Sequence, residues 1–286
     1  MVQAQLNGFL PPDFTGPMPI IDVRNPPKGA RREYPLIEID DARTLQAAAS
    51  SEAEFLSEHG FVLLSHETAV RDWDREVEDV YLPEIETIIR NRLFPRRRIE
   101  VQQSPGGLLR RGRGTSTPGY AGGVHSDAPL NAARYAENVR AFASDEAEEW
   151  WRRNYEREDV AGFINLDFWR ITNMEAPLRH MPLAVCDPGS LDRSDIVEMT
   201  MTGIAPEARP THHLSLRFNA EQRWYHYPQM TADELLVFKL GEYWKDSPDR
   251  PPQNCFHSAF VDPGTPADAE ERQSCEHRVG VLILRD

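Results

Sequence analysis

The sequence predicts an α+β chain whose core is mainly antiparallel β-sheet, with helices packed on its outside. Three observations carry this expectation. Helix-period segments gather in the first half of the chain, and short β-branched or aromatic segments gather in the second. The two kinds do not alternate as strand–helix–strand crossover units would. The 23 prolines and 17 glycines favour many short elements and loops.

Residues 1–36 are rich in proline, lack periodicity and read as an extended arm. Such an arm wraps its own domain or packs on a partner, a second copy of the chain then giving a homodimer. Residues 37–286 follow as a single domain. A helical pattern with an acid-rich start runs from Asp41 to Gly60, which offers the stop. "GFVLLSH" reads as a strand. A second helix covers "VRDWDREVEDVYLPEIETIIRNRLF", where Pro83 lacks an amide hydrogen and allows a kink. Residues 101–124 read as loop and carry Arg110, Arg111 and Arg113, either a lid for an anionic substrate or a solvated loop. Pro129 to Asp159 is mainly helical, with Ser144 capping an acid-first helix. "AGFINLDFWRIT", "HHLSLRF", "RWYHYP", "ELLVFKL", "NCFHSAFV" and "CEHRVGVLIL" read as strands.

Composition narrows the function classes. With 286 residues the chain can bury a substantial core. A formal net charge of −14 argues against nucleic-acid or anionic-membrane surfaces, which require a positive footprint. Cys186, Cys255 and Cys275 are an odd set without C-x-x-C spacing, so reduced thiols are expected. The N-terminus lacks a basic region followed by an apolar run, and "FVLL" and "VGVLIL" are too short to span a bilayer. The expected location is the cytoplasm. Neither a phosphate-binding glycine loop nor a G-x-S-x-G elbow is present.

"GGVHSDAP" places His125 and Asp127 two residues apart, so an extended backbone projects both from one face. Two imidazoles and one carboxylate on one face of an octahedron suit Fe(II), with positions left for a chelating cosubstrate and dioxygen. His257, in the strand-like "QNCFHSAFVDP", is the best third ligand; His212, His213 and Cys255 are its rivals, and a thiolate would favour zinc. Arg272 and Ser274 again share a face, and an arginine fork with a hydroxyl can hold the far carboxylate of 2-oxoglutarate. Arg278 lies on the same face and either joins that carboxylate or pairs with Glu276. Trp169, Arg170, His226 and Arg113 are the candidates for the substrate pocket, core packing being the alternative for the two ring side chains.

"FWRITNMEAPLRHMPLAVCDPGSL", "RWYHYPQMTADELLVFKLGEYW" and "FHSAFVDPGTPADAEERQSCEHR" resemble, in order and spacing, the CmcJ/AsaB-type hydroxylase/desaturase family. "HGFVLLSHET" and Tyr81 to Glu84 extend the resemblance to roughly residues 35–286. Gln273 and Asp167 depart from it, standing where the family often has Glu and Asn. The resemblance implies a double-stranded β-helix (cupin-like jelly roll) with helices packed outside. It also implies Fe(II) bound by His125, Asp127 and His257, 2-oxoglutarate bound by Arg272 and Ser274, and oxidation of a small, secondary-metabolite substrate by dioxygen. The other readings are an iron oxygenase on this scaffold that does not use 2-oxoglutarate, and a non-catalytic partner of a methyltransferase.

Overall fold

The computed structural model describes residues 1–25, 36–115 and 117–286. Residues 26–35 of the expected arm lie outside the described residues. The strands in chain order are β1 (Val2–Ala4), β2 (Ile21–Asp22), β3 (Ile37–Asp41), β4 (Phe61–Ser65), β5 (Ile99–Arg111), β6 (Val160–Ile171) and β7 (Leu183–Cys186). They continue as β8 (Ile196–Thr202), β9 (Thr211–Leu216), β10 (Trp224–His226), β11 (Glu234–Trp244), β12 (His257–Ala259) and β13 (Ser274–Leu284). The helices are α1 (Ala42–Gln46), α2 (Glu52–His59), α3 (Leu82–Ile88), α4 (Ala132–Phe142) and α5 (Asp145–Glu156).

The long strands form one antiparallel sheet in the order β4-β11-β6-β13-β5. Opposite it stand two smaller sheets, β1-β3-β10-β7-β12 and β2-β8-β9. The segment around His125 joins them, since His125 bridges His257 and Ser126 bridges Leu214. The fold is a double-stranded β-helix. Alternation along β7 shows how it is filled: Leu183 and Val185 join one apolar cluster, Ala184 and Cys186 another. On the large sheet, α2 and the stretch from Val77 to Leu93 pack on one face through Phe55, Leu56, Ile85 and Ile89. The α4–α5 hairpin closes over Phe163, Tyr243 and Leu282.

Several local expectations meet a tertiary correction. The helical pattern from Asp41 to Gly60 is two helices, because Ser51 accepts from Glu54 N and starts a new one. The second predicted helix begins only at Val77; before it, the Glu76 carboxylate takes the amides of Arg71 and Asp72 and holds a turn. Residues 101–111 are strand, not loop. "SPGG" hides the strand period, and the ladder is restored by β13, where residues 104–107 stand opposite Arg278 alone. β7 ends at Cys186, and a turn starts at Asp187. The N-terminal arm runs along its own domain: β1 pairs β3, and Leu6 and Phe9 are buried.

Gly60 ends α2 in the left-handed region at φ 75°, and a Cβ there would lie 2.7 Å from Pro188 Cγ. Gly60→Ala is expected to lower stability by about 1–2 kcal/mol. A thermal melt should show a fall of a few degrees in Tm with an unchanged far-ultraviolet spectrum.

Candidate active site

His125 and His257 meet through their backbones. His125 N donates to His257 O at 3.3 Å and His257 N to His125 O at 3.0 Å. Residues that exchange both bonds face each other across an antiparallel pair, so their side chains emerge together. Their ring centroids are 4.5 Å apart. Ser126 turns to the other face, is fully buried and pairs with Leu214. Asp127 then returns to the histidine face: its Oδ1 lies 3.7 Å from His125 Nε2 and its Oδ2 3.7 Å from His257 Nε2. Bonds of about 2.1 Å at right angles separate two donors by about 3 Å, so small side-chain rotations bring the three onto one ion.

The ring nitrogens are assigned by their second partners. His125 Nδ1 lies 2.6 Å from Gly123 O and His257 Nδ1 3.2 Å from Cys255 O. A carbonyl only accepts, so Nδ1 carries the proton and Nε2 keeps its lone pair toward Asp127. Burial pushes the His257 imidazole down to about 3, with His125 next in effect, which keeps it neutral. Burial is the largest influence on Asp127 and opposes its ionisation, but Arg278, His125, His213 and His257 together outweigh it and the carboxyl sits well below the usual range. Arg278 Nη2 donates to Asp127 Oδ2 at 2.8 Å, and His213 Nδ1 lies 3.5 Å from Oδ1.

Arg272 is 2% exposed and has no ion pair among the described residues. Its guanidinium donates to Met181 O and lies 4.1 Å from the Tyr120 ring centroid and 5.6 Å from that of Trp169. Tyr120 in turn donates to Arg272 O at 2.6 Å. Arg272 Nε and Ser274 Oγ are buried without a hydrogen-bond partner. Burial lowers the guanidinium to about 10, so it stays charged at neutral pH. A buried cation without an anion is costly by several kcal/mol, and the donor set of a guanidinium with a hydroxyl matches a carboxylate.

Other expected residues fall elsewhere. Arg278 and Arg272 are six residues apart on extended chain, about 20 Å, so they do not share a carboxylate; Arg278 serves Asp127 and Glu276 instead. Trp169 stands opposite Glu276 on the inner face, beside Arg272. Arg170 stands opposite Cys275, on the outer face, where it donates to His66 O and Ala232 O over Trp73 and Tyr81. His226 packs edge-on against Phe260 in a separate cavity of about 220 Å³. Arg113 is exposed in a turn between Gly112 and Gly114, while Arg110 pairs with Asp74 and Arg111 with Glu276.

A cavity of about 770 Å³ opens beside His125 and Asp127 and also reaches Arg111, His213, Glu276 and Arg278. Glu276 was legible in principle, since it continues the alternation Arg272, Ser274, Glu276, Arg278. Tyr120 carried only the weak signal of an aromatic before Gly122 and Gly123. His212 and His213 separate as strand neighbours must: His212 pairs outward with Glu137, and His213 faces Asp127.

Asp167 is buried beside this group, with Arg278 Nε at 3.8 Å. Burial, then Glu276, pushes its carboxyl well above the ordinary range, so the folded chain retains a proton that the unfolded chain releases. Stability therefore falls as pH rises above the unfolded carboxyl value near 4, until the raised folded value is reached. Asp167→Asn in the metal-free protein is expected to flatten this fall, and denaturant melts from pH 4 to 8 check it.

The chain is similar to several known proteins. The chain is 27% identical over 249 residues to alpha-ketoglutarate-dependent dioxygenase phiK of Fungal sp. (strain ATCC 74256), covering 80% of this chain and 79% of that protein. It is 32% identical over 111 residues to hydroxylase/desaturase efuI of Hormonema carpetanum, covering 35% and 37%. The iron and alpha-ketoglutarate-dependent endoperoxidase NvfI superposes with a TM-score of 0.67 at 19% identity, over 93% of this chain and 94% of that one. No helix among the described residues is long and apolar enough to cross a membrane. The family described as oxidoreductase/YMDC permease-like domain matches residues 11–282, and the chain belongs to that family.

Proposed function

We propose that the chain is an Fe(II)- and 2-oxoglutarate-dependent oxygenase of a small-molecule substrate, with His125, Asp127 and His257 as iron ligands and Arg272 with Ser274 as the carboxylate seat. The observation that carries this reading is the buried, unpaired Arg272 in the same barrel as a two-histidine, one-carboxylate face. The relatives' names, a dioxygenase, a hydroxylase/desaturase and an endoperoxidase, support the reaction class.

When bound, Fe(II) with 2-oxoglutarate and dioxygen supplies an oxidant able to remove hydrogen from an unactivated C–H, with succinate and carbon dioxide as by-products. The chain's own residues do the rest. Gly123 O and Cys255 O hold the two imidazoles in the ligating tautomer. Arg278 holds one Asp127 oxygen and His213 stands beside the other, so the carboxylate is fixed facing the two imidazoles where it would bind the iron. Tyr120 and Trp169 flank Arg272 and keep water from it, which strengthens its hold on an anion. An iron oxygenase that does not use 2-oxoglutarate would leave Arg272 without a role.

Anaerobic addition of Fe(II) and 2-oxoglutarate should produce a visible charge-transfer band, and His257→Ala should abolish it. A band retained in that variant rules out the ligand set. Arg272→Ala is expected to weaken 2-oxoglutarate binding about 30-fold or more while Fe(II) still binds. Unchanged 2-oxoglutarate affinity would remove the proposed seat.

A further inference from the structure

We propose that residues 8–21 of the N-terminal arm form the substrate-side wall of this cavity, and that the substrate is an uncharged molecule with a largely apolar body. The inference rests on the oxygenase reading for the identity of the site, and on separate observations for its wall and its charge.

The arm is held against the barrel at three places around the cavity. Val124 N donates to Asn7 O at 2.7 Å, one residue before His125. Gly8, at φ 88°, presses so closely that a Cβ would stand 2.7 Å from Val124 N. Leu10 then pairs with the end of β9, its N donating to Leu216 O at 2.8 Å and its O accepting from Phe218 N at 3.0 Å. Finally β2 adds to β8, placing Ile21 beside Met201, and Val23 N donates to Thr202 O at 3.0 Å. Pro11, Pro12, Pro17 and Pro19 stiffen the span between these anchors, so the wall is pre-formed with little entropy left to lose.

Between the anchors, Met18 and Ile21 face the cavity together with Phe142, Met199, Met201 and Ile204. Three methionines among six apolar side chains give an adaptable surface suited to a bulky, irregular body. Ile20 and Ile204 remain 69% and 44% exposed.

The cavity's charges are already matched. Arg278 lies 2.8 Å from Asp127 and 3.3 Å from Glu276, and Arg111 lies 3.4 Å from Glu276. Two lining arginines thus meet two lining carboxylates, and no lining arginine or acid is left over for a charged substrate. A charged group would lose its water without gaining a counter-ion, whereas an uncharged body with a hydroxyl or carbonyl loses little.

Fluorescence titrations of the full chain, held anaerobic with Fe(II) and 2-oxoglutarate, test this with two dyes of similar size. Uncharged Nile red should bind about tenfold tighter or better than anionic 1-anilinonaphthalene-8-sulfonate. Met18→Asp and Ile21→Asp should each weaken Nile red about fivefold or more while the charge-transfer band persists. Equal or tighter binding of the anion overturns the substrate class. Unchanged Nile red affinity in both variants, with the band intact, overturns the wall. Absence of the band from the unaltered chain would instead count against the oxygenase reading, and the dyes would still report on the wall.

Discussion

The pair of backbone hydrogen bonds between His125 and His257 is the constraint on which the rest of the site depends. It stitches a short segment to a three-residue strand, and through Ser126 and Leu214 it continues to the next sheet. Because opposite residues share a face, this one register brings two imidazoles together, and the period of two then returns Asp127 to them. A slip of one residue in the 125–127 segment would turn His125 and Asp127 to the other face, away from His257, and put Ser126 in their place. The segment's neighbours protect the register: Asn7 takes the amide of Val124 on one side, and Leu214 takes Ser126 on the other.

Electrostatics divide the interior into two regions with different needs. Around Asp127, charges compensate one another through Arg278, Glu276 and Arg111. Around Arg272 they do not: the cation rests on aromatic faces and a backbone carbonyl, with Ser274 Oγ unsatisfied beside it on the chain. Low dielectric strengthens both conditions. The compensated floor offers a charged ligand no free counter-ion, while the uncompensated end favours an anion. The two arginines look alike in sequence, and only their partners distinguish them.

Much of the site was legible because its signals are local. His-x-Asp and Arg-x-Ser need only an extended backbone for both members of each pair to project together, and that period holds in any strand. Arg170 and Arg278 show where locality ends. Arg170 neighbours Trp169, so it must face the opposite side, and the outer helices supplied the pocket of Trp73 and Tyr81 that receives it. Arg278 does share Arg272's face, but strand length separates the two. β5 was hidden because "SPGG" breaks the alternation that marks a strand, and only its long-range ladder with β13 restores it. The arm gave no periodicity at all, since its residues alternate between anchors on different strands rather than along one.

The sequence by itself therefore determined the chemistry available: which residue types stand at period-two spacing, which segments other than β5 take extended form, where Ser144 and Gly60 bound helices. Only the tertiary structure decided which of nine histidines meet, that Arg272 is buried with no ion pair among the described residues, and that Gly8, Leu10, Met18 and Ile21 of the arm line the cavity. The reason is physical. Side-chain direction within a strand follows from backbone geometry over two residues, whereas neighbours across a sheet are chosen by hydrogen-bond ladders between segments distant in sequence, as His125 and His257 are.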